Sequence, residues 1–152
     1  MKKSLAFATI LALSVSVAPA AASAPENVTI VSEMSLSAAS GTFDASGPAV
    51  DAGVMCAQGD VYDLQYRAAG FQSNRLMNLF VHKLFVCADG TGTFEMDLNV
   101  RIVFSPPETT AIWRVVDGDS SYLRLHGNGK LTAFPVNEDI LIDTYTGSLH
   151  ID

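Results

Sequence analysis

The chain has 152 residues, with 9 Lys plus Arg against 16 Asp plus Glu and two cysteines. That length fits one domain rather than a multi-domain machine, and an apolar share of 49% argues against a disordered chain. The net charge of −7 lacks the basic footprint a phosphate polymer needs, which argues against nucleic acid as a partner.

Residues 1–24 read as a signal peptide. Met1-Lys2-Lys3 is a positively charged start, and Leu5 to Val17 is an uncharged run of 13 residues. Pro19 breaks it, and Ala22-Ser23-Ala24 is the small-x-small pattern a signal peptidase accepts. The run is shorter than the roughly 20 apolar residues of a membrane anchor. The expectation is cleavage after Ala24 and a single mature domain, residues 25–152, whose net charge falls to −9 once Lys2 and Lys3 are gone. It is expected outside the cell, with the periplasm or cell envelope as the alternative. No second apolar run approaches spanning length, so no membrane span is expected in the mature protein.

From Val28 onward, apolar residues recur at period two, the spacing of half-buried strands. In chain order the expected strands are Val28–Ser37, Gly59–Ala68, Leu79–Cys87, Thr93–Ile102, Thr110–Val116, Lys130–Phe134 and Ile140–Ile151. The breaks between them are Gly41 to Gly53, the turn Ala88 to Gly92, Ser105 to Pro107, Asp117 to Ser120, and Pro135 to Asp139. The clearest alternation sets Phe94, Met96, Leu98, Val100 and Ile102 against Thr93, Glu95, Asp97, Asn99 and Arg101. A hairpin centred on Gly90 would set Lys83 opposite Asp97. It would also put Phe80, His82, Leu84 and Val86 on the apolar face; a shift of the loop ends would pair Lys83 with Glu95 or Asn99 instead. Seven or eight short antiparallel strands point to a closed β-barrel, with a β-sandwich as the alternative. Trp113 follows both cysteines, which departs from the Cys…Trp…Cys order of a sandwich.

Cys56 and Cys87 are an even number of thiols in a chain bound for an oxidising compartment. Paired, they would close a loop of 31 positions worth about 3–4 kcal/mol in chain entropy. A metal or thiol-catalytic role has no C-x-x-C and no histidine at ligand spacing to support it.

Four stretches carry a family resemblance: Phe85 to Phe94 (FVCADGTGTF), Thr109 to Gly118 (TTAIWRVVDG), Ser121 to Leu131 (SYLRLHGNGKL) and Asp143 to Gly147 (DTYTG). Over residues 54–150 the sequence resembles small secreted bacterial proteins related to the allene oxide cyclase and dirigent barrels. The resemblance implies an eight-stranded antiparallel barrel. It also supports the Cys56–Cys87 pairing, because Cys56 precedes a Gly59-Asp60-Val61 step of the kind those relatives have. Ser120 departs from the pattern, standing where the family has a second glycine; a serine there costs little unless φ is positive. The resemblance carries fold-defining glycines and aromatics and implies no active-site residue.

No nucleophile elbow, metal motif or phosphate loop is present, so no cofactor and no metal are expected. Asp117 to Ser121 superficially resembles a calcium loop, but position twelve is Asn128 rather than glutamate. The candidates for acid–base work are His82, expected on the apolar face, with Glu95 and Asp97. The competing reading makes His82 a core histidine, and Glu95, Asp97, Arg101 and Lys83 a solvated outer face. Trp113, Tyr66, Tyr122 and Tyr145 either line a ligand pocket or serve as core aromatics. The expectation is a monomer or weak homo-oligomer that binds a small apolar or amphipathic ligand. The alternative is an isomerase, cyclase or dirigent-like protein that steers a reactive intermediate inside the barrel.

Overall fold

The computed structural model describes residues 24–70 and 72–152, so the expected signal peptide lies outside the described residues up to residue 23. Eight antiparallel strands form one closed barrel, each paired with its neighbours in sequence and the last with the first. They are β1 (Glu26–Ser35), β2 (Ser40–Ser46), β3 (Gln58–Ala68), β4 (Leu76–Cys87), β5 (Thr93–Phe104), β6 (Pro107–Gly118), β7 (Leu125–Pro135) and β8 (Ile140–Ile151). A one-turn helix, α1 (Pro48–Asp51), follows β2. The β1–β8 pairing runs from Glu26↔Leu149 to Ser35↔Ile140, so the sheet has no free edge. This is a barrel and not a sandwich. Among the described residues no helix is long and apolar enough to cross a membrane.

Seven of the strands fall where the alternation puts them. The eighth, β2, lies in the stretch expected to be a break. Its sequence, SGTFDAS, offers only Phe43 as a large apolar side chain, too little for a period-two signal, yet Phe43 is buried in the core.

The β4–β5 register also differs from expectation. Phe85 pairs with Phe94, Lys83 with Met96 and His82 with Asp97. Gly90 (φ 75°) and Gly92 (φ 141°) fold the turn so that the Cys87 N–H donates to the Gly92 carbonyl at 3.1 Å. The pairing is therefore one residue off the symmetric loop, and one residue exchanges the faces of β4. Val81, Lys83, Phe85 and Cys87 are buried, whereas His82 stands on the outside with Glu95 and Asp97. β4 is apolar on both faces, which is why alternation alone does not choose between them.

One end of the barrel is sealed. Phe85 stacks on Phe94 at 4.9 Å and meets Phe43 and Tyr145 edge-on, while Ala49, Val54 and Met55 from the segment around α1 are buried in the same core. The Cys56–Cys87 disulfide ties this segment to the end of β4. Trp113 is fully buried against a gap that two glycines leave. Gly129 and Gly147 face each other across β7 and β8, and a Cβ on either would lie 2.6 or 2.5 Å from the indole. Gly129 and Gly147 thus make room for one tryptophan. Ser120 has φ 50°, so it occupies the left-handed region that favours glycine, and the serine is strained there.

Candidate ligand cavity

The other end of the barrel is an open cup of about 410 Å³. Its walls are Leu79 and Val81 from β4, Val100 and Leu98 from β5, and Leu131 and Ala133 from β7. All of them are inward residues of strands that alternate, so the wall is the continuation of the core. Leu36 and Tyr66 line the cup and are exposed to solvent there.

The floor is polar. Lys83 Nζ lies 2.8 Å from Asp63 Oδ1 and 3.3 Å from Asp143 Oδ2, and the Tyr145 hydroxyl donates to Asp143 Oδ2 at 3.2 Å. Asp63 sits directly opposite Lys83 on β3, just where the β3–β4 register slips past a bulge. Asp143 comes from β8, so Lys83 reaches across the lumen. The lysine and Asp143 are almost wholly buried, with side chains 6% and 4% exposed, while Asp63 keeps 17%. Burial raises the Asp143 carboxyl above its usual range, opposed by the charge and hydrogen bond of Lys83. Tyr145 is pushed well above its usual value, first by burial and then by the Asp143 charge. The fully buried Ser32 hydroxyl faces Asp143 across β1 and β8, lies within electrostatic reach of Tyr145, and completes no well-formed hydrogen bond.

The residues singled out from sequence are distributed unevenly around this cup. Tyr66 lines it. Tyr145 supports the floor from below, and Trp113 and Tyr122 are buried in the core away from the cavity lining. His82, Glu95 and Asp97 are outside. There the His82 imidazole bridges Asp97 Oδ1 through Nδ1 and Glu95 Oε2 through Nε2, both at 2.8 Å, and Arg114 Nη2 donates to Asp97 Oδ2 at 3.1 Å. His82, Asp97 and Arg114 are register partners on β4, β5 and β6, so this is a cross-strand row on the outer surface. The expected polar constellation is therefore split: Lys83 goes to the lumen, and Glu95 and Asp97 stay outside.

The outer row has a pH signature. Burial would lower the imidazole, but hydrogen bonds and charges from Asp97 and Glu95 outweigh it and raise His82 above 6.5. Burial likewise opposes ionisation of Asp97, but His82 and Arg114 outweigh it and hold Asp97 below 3.8. His82 therefore adds stability that is complete below 6.5 and is lost as pH rises through its folded value. Asp97's contribution is complete above 3.8 and is lost as pH falls. His82→Gln is expected to flatten the alkaline limb of a urea-unfolding series by no more than about 1 kcal/mol. An unchanged limb would show the row contributes nothing.

Lys83, Asp63 and Asp143 escaped the sequence reading as a group. The available signal was β8, where Leu141, Asp143, Tyr145, Gly147 and Leu149 share one parity. A face that carries a tyrosine and two leucines carries Asp143 inward with them. Among the described residues no group of three His, Cys, Asp or Glu side chains could hold a metal ion. The Asp119 carboxylate of the calcium-like stretch accepts the Thr93 N–H at 2.7 Å, and Asp117 Oδ1 accepts the Gly118 N–H at 2.8 Å.

No protein-family model, curated protein or solved structure matches this chain.

Proposed function

We propose that this is a secreted binding module, an allene oxide cyclase-like barrel that holds a small apolar or amphipathic molecule in its open end. The observation that carries the reading is the cup of about 410 Å³, which lies within the size range of small-molecule sites. Its apolar wall and few convergent polar groups are the usual composition of such sites. Export is supported by the signal-like residues 1–24 and by the Cys56–Cys87 disulfide, which belongs to an oxidising compartment. The glycine pair beneath Trp113 supports the family likeness.

The test is thermal unfolding of the purified protein across lipid, aromatic and sugar libraries, with native mass spectrometry after gentle purification. A ligand at a hundredfold excess over Kd is expected to stabilise the fold by about 2.7 kcal/mol. Ala133→Trp, which places an indole in the cup, should abolish that shift. No shift from any class, and no retained mass, would end this reading.

An enzyme remains the second reading because the polar floor faces the cup. His82, Glu95 and Asp97 do not reach it, so acid–base steering of an intermediate would fall to Lys83, Asp63 and Asp143.

A further inference from the structure

We infer that the ligand of the cup is an apolar molecule ending in one hydrogen-bond-donating head, an amine or an alcohol, and that a carboxylate head is rejected. This rests on reading the cup as a ligand site and specifies the chemistry of its occupant.

The wall defines the tail. Leu79, Val81, Leu98, Val100 and Leu131 offer no polar side chain, and the exposed Leu36 adds another apolar side chain to the lining. A sugar, with polar groups all round, would leave most of them unpaired against this wall. One polar end fits, provided it points down.

The floor defines the head. Lys83 is the only basic side chain among the described residues that line the cup, and it faces two carboxylates, Asp63 and Asp143. Formal charge on the floor is therefore −1. The ammonium already contacts Asp63 Oδ1 at 2.8 Å and Asp143 Oδ2 at 3.3 Å, so little of its field is left for an incoming anion. Asp63 contacts Lys83 through Oδ1 and is the most exposed of the three, which leaves a carboxylate partly open to the cup. Ionised carboxylates only accept hydrogen bonds. A donor head completes this floor; an amine does so with a charge-assisted bond. A ligand carboxylate would bring a third acceptor-only anion into a poorly hydrated site, with no free cation to meet it.

The experiment is calorimetric titration of the purified protein with decylamine, decanol and decanoate, which share one tail and differ in the head. Decylamine and decanol are expected to bind, and decanoate at least about tenfold more weakly, equal to about 1.4 kcal/mol. Asp63→Asn brings the floor to formal neutrality and should narrow the amine–carboxylate gap by about tenfold. Decanoate binding as tightly as decylamine would overturn the head assignment while leaving the cup as a site. So would an unchanged gap in Asp63→Asn. Failure of all three decyl compounds to bind, together with silence across the wider libraries, would instead remove the cup as a ligand site. If Asp63→Asn does not fold, the wild-type series alone decides.

Discussion

Replacing Lys83 with methionine is expected to destabilise the fold by about 3–5 kcal/mol, the usual loss when one partner of a buried ion pair is removed. The methionine fills much the same space, so the loss is electrostatic rather than a cavity effect. Asp143 would be left with a side chain 4% exposed, the Tyr145 hydroxyl as its remaining donor, and no cation. The pH dependence separates this cause from a packing defect. Asp143 already has a raised carboxyl, so its contribution to stability is greatest below 3.8 and is lost as pH rises through its folded value. Without Lys83, only the Tyr145 hydrogen bond opposes that rise. The gap between wild type and Lys83→Met should therefore be widest at neutral pH and close towards acid pH. The triple variant Lys83→Met/Asp63→Leu/Asp143→Leu should recover most of the stability, because an apolar replacement of a buried ionic group is often neutral or better. Equal losses at acid and neutral pH in urea unfolding would refute the electrostatic account.

The floor's energetic cost sharpens its meaning. A barrel interior of this size fills readily with apolar side chains, and the sealed end does so with Phe43, Phe85, Phe94 and Trp113. The three charged residues appear only where the lumen opens to the cup. Such groups contribute little to stability when compared with an apolar core, so a ligand-facing role accounts for them better than folding does.

The architecture was legible in the sequence because closed antiparallel barrels write period two into nearly every strand. β5 shows it cleanly, with Phe94, Met96 and Leu98 all buried. Two places were not legible, for different reasons. β2 carries one large core residue, and a single residue has no period. β4 carries apolar residues at both parities, so only its register could say which of His82 and Lys83 enters the lumen, and that register depends on how Gly90 and Gly92 turn. A glycine turn holds its geometry in φ and ψ, which residue types constrain only loosely. The candidate site inherited this ambiguity. One residue of slip decides whether Lys83 or His82 is the buried residue. Parity on β8, which has Tyr145 and Leu149 to anchor it, would have placed Asp143 inside without any knowledge of the turn.

Removing the disulfide as Cys56→Ala/Cys87→Ala is expected to cost about 3–4 kcal/mol, from the chain entropy of a loop with sequence separation 31. That loop contains all of β3 and most of β4, and its ends meet at the sealed end of the barrel. Cys56 and Cys87 are both buried, and the strand pair between them is already joined from Gly59↔Cys87 to Ala68↔Leu79. The bond therefore chiefly holds the segment around α1, with Ala49, Val54 and Met55, against the aromatic stack. Two signatures follow. Hydrogen exchange should accelerate first at Val54 and Met55, whose N–H groups donate to the Ala49 carbonyl at 2.8 and 3.2 Å. The cup, at the opposite end, should keep its ligand affinity at temperatures where the variant is folded. Loss of affinity in step with exchange at the sealed end would show that the two ends act as one unit. Retained affinity with a loosened seal would show that the floor and walls are held by the strand ladder alone. That second outcome is expected, because Lys83, Asp63 and Asp143 sit on β4, β3 and β8, which remain paired on both sides without the bond.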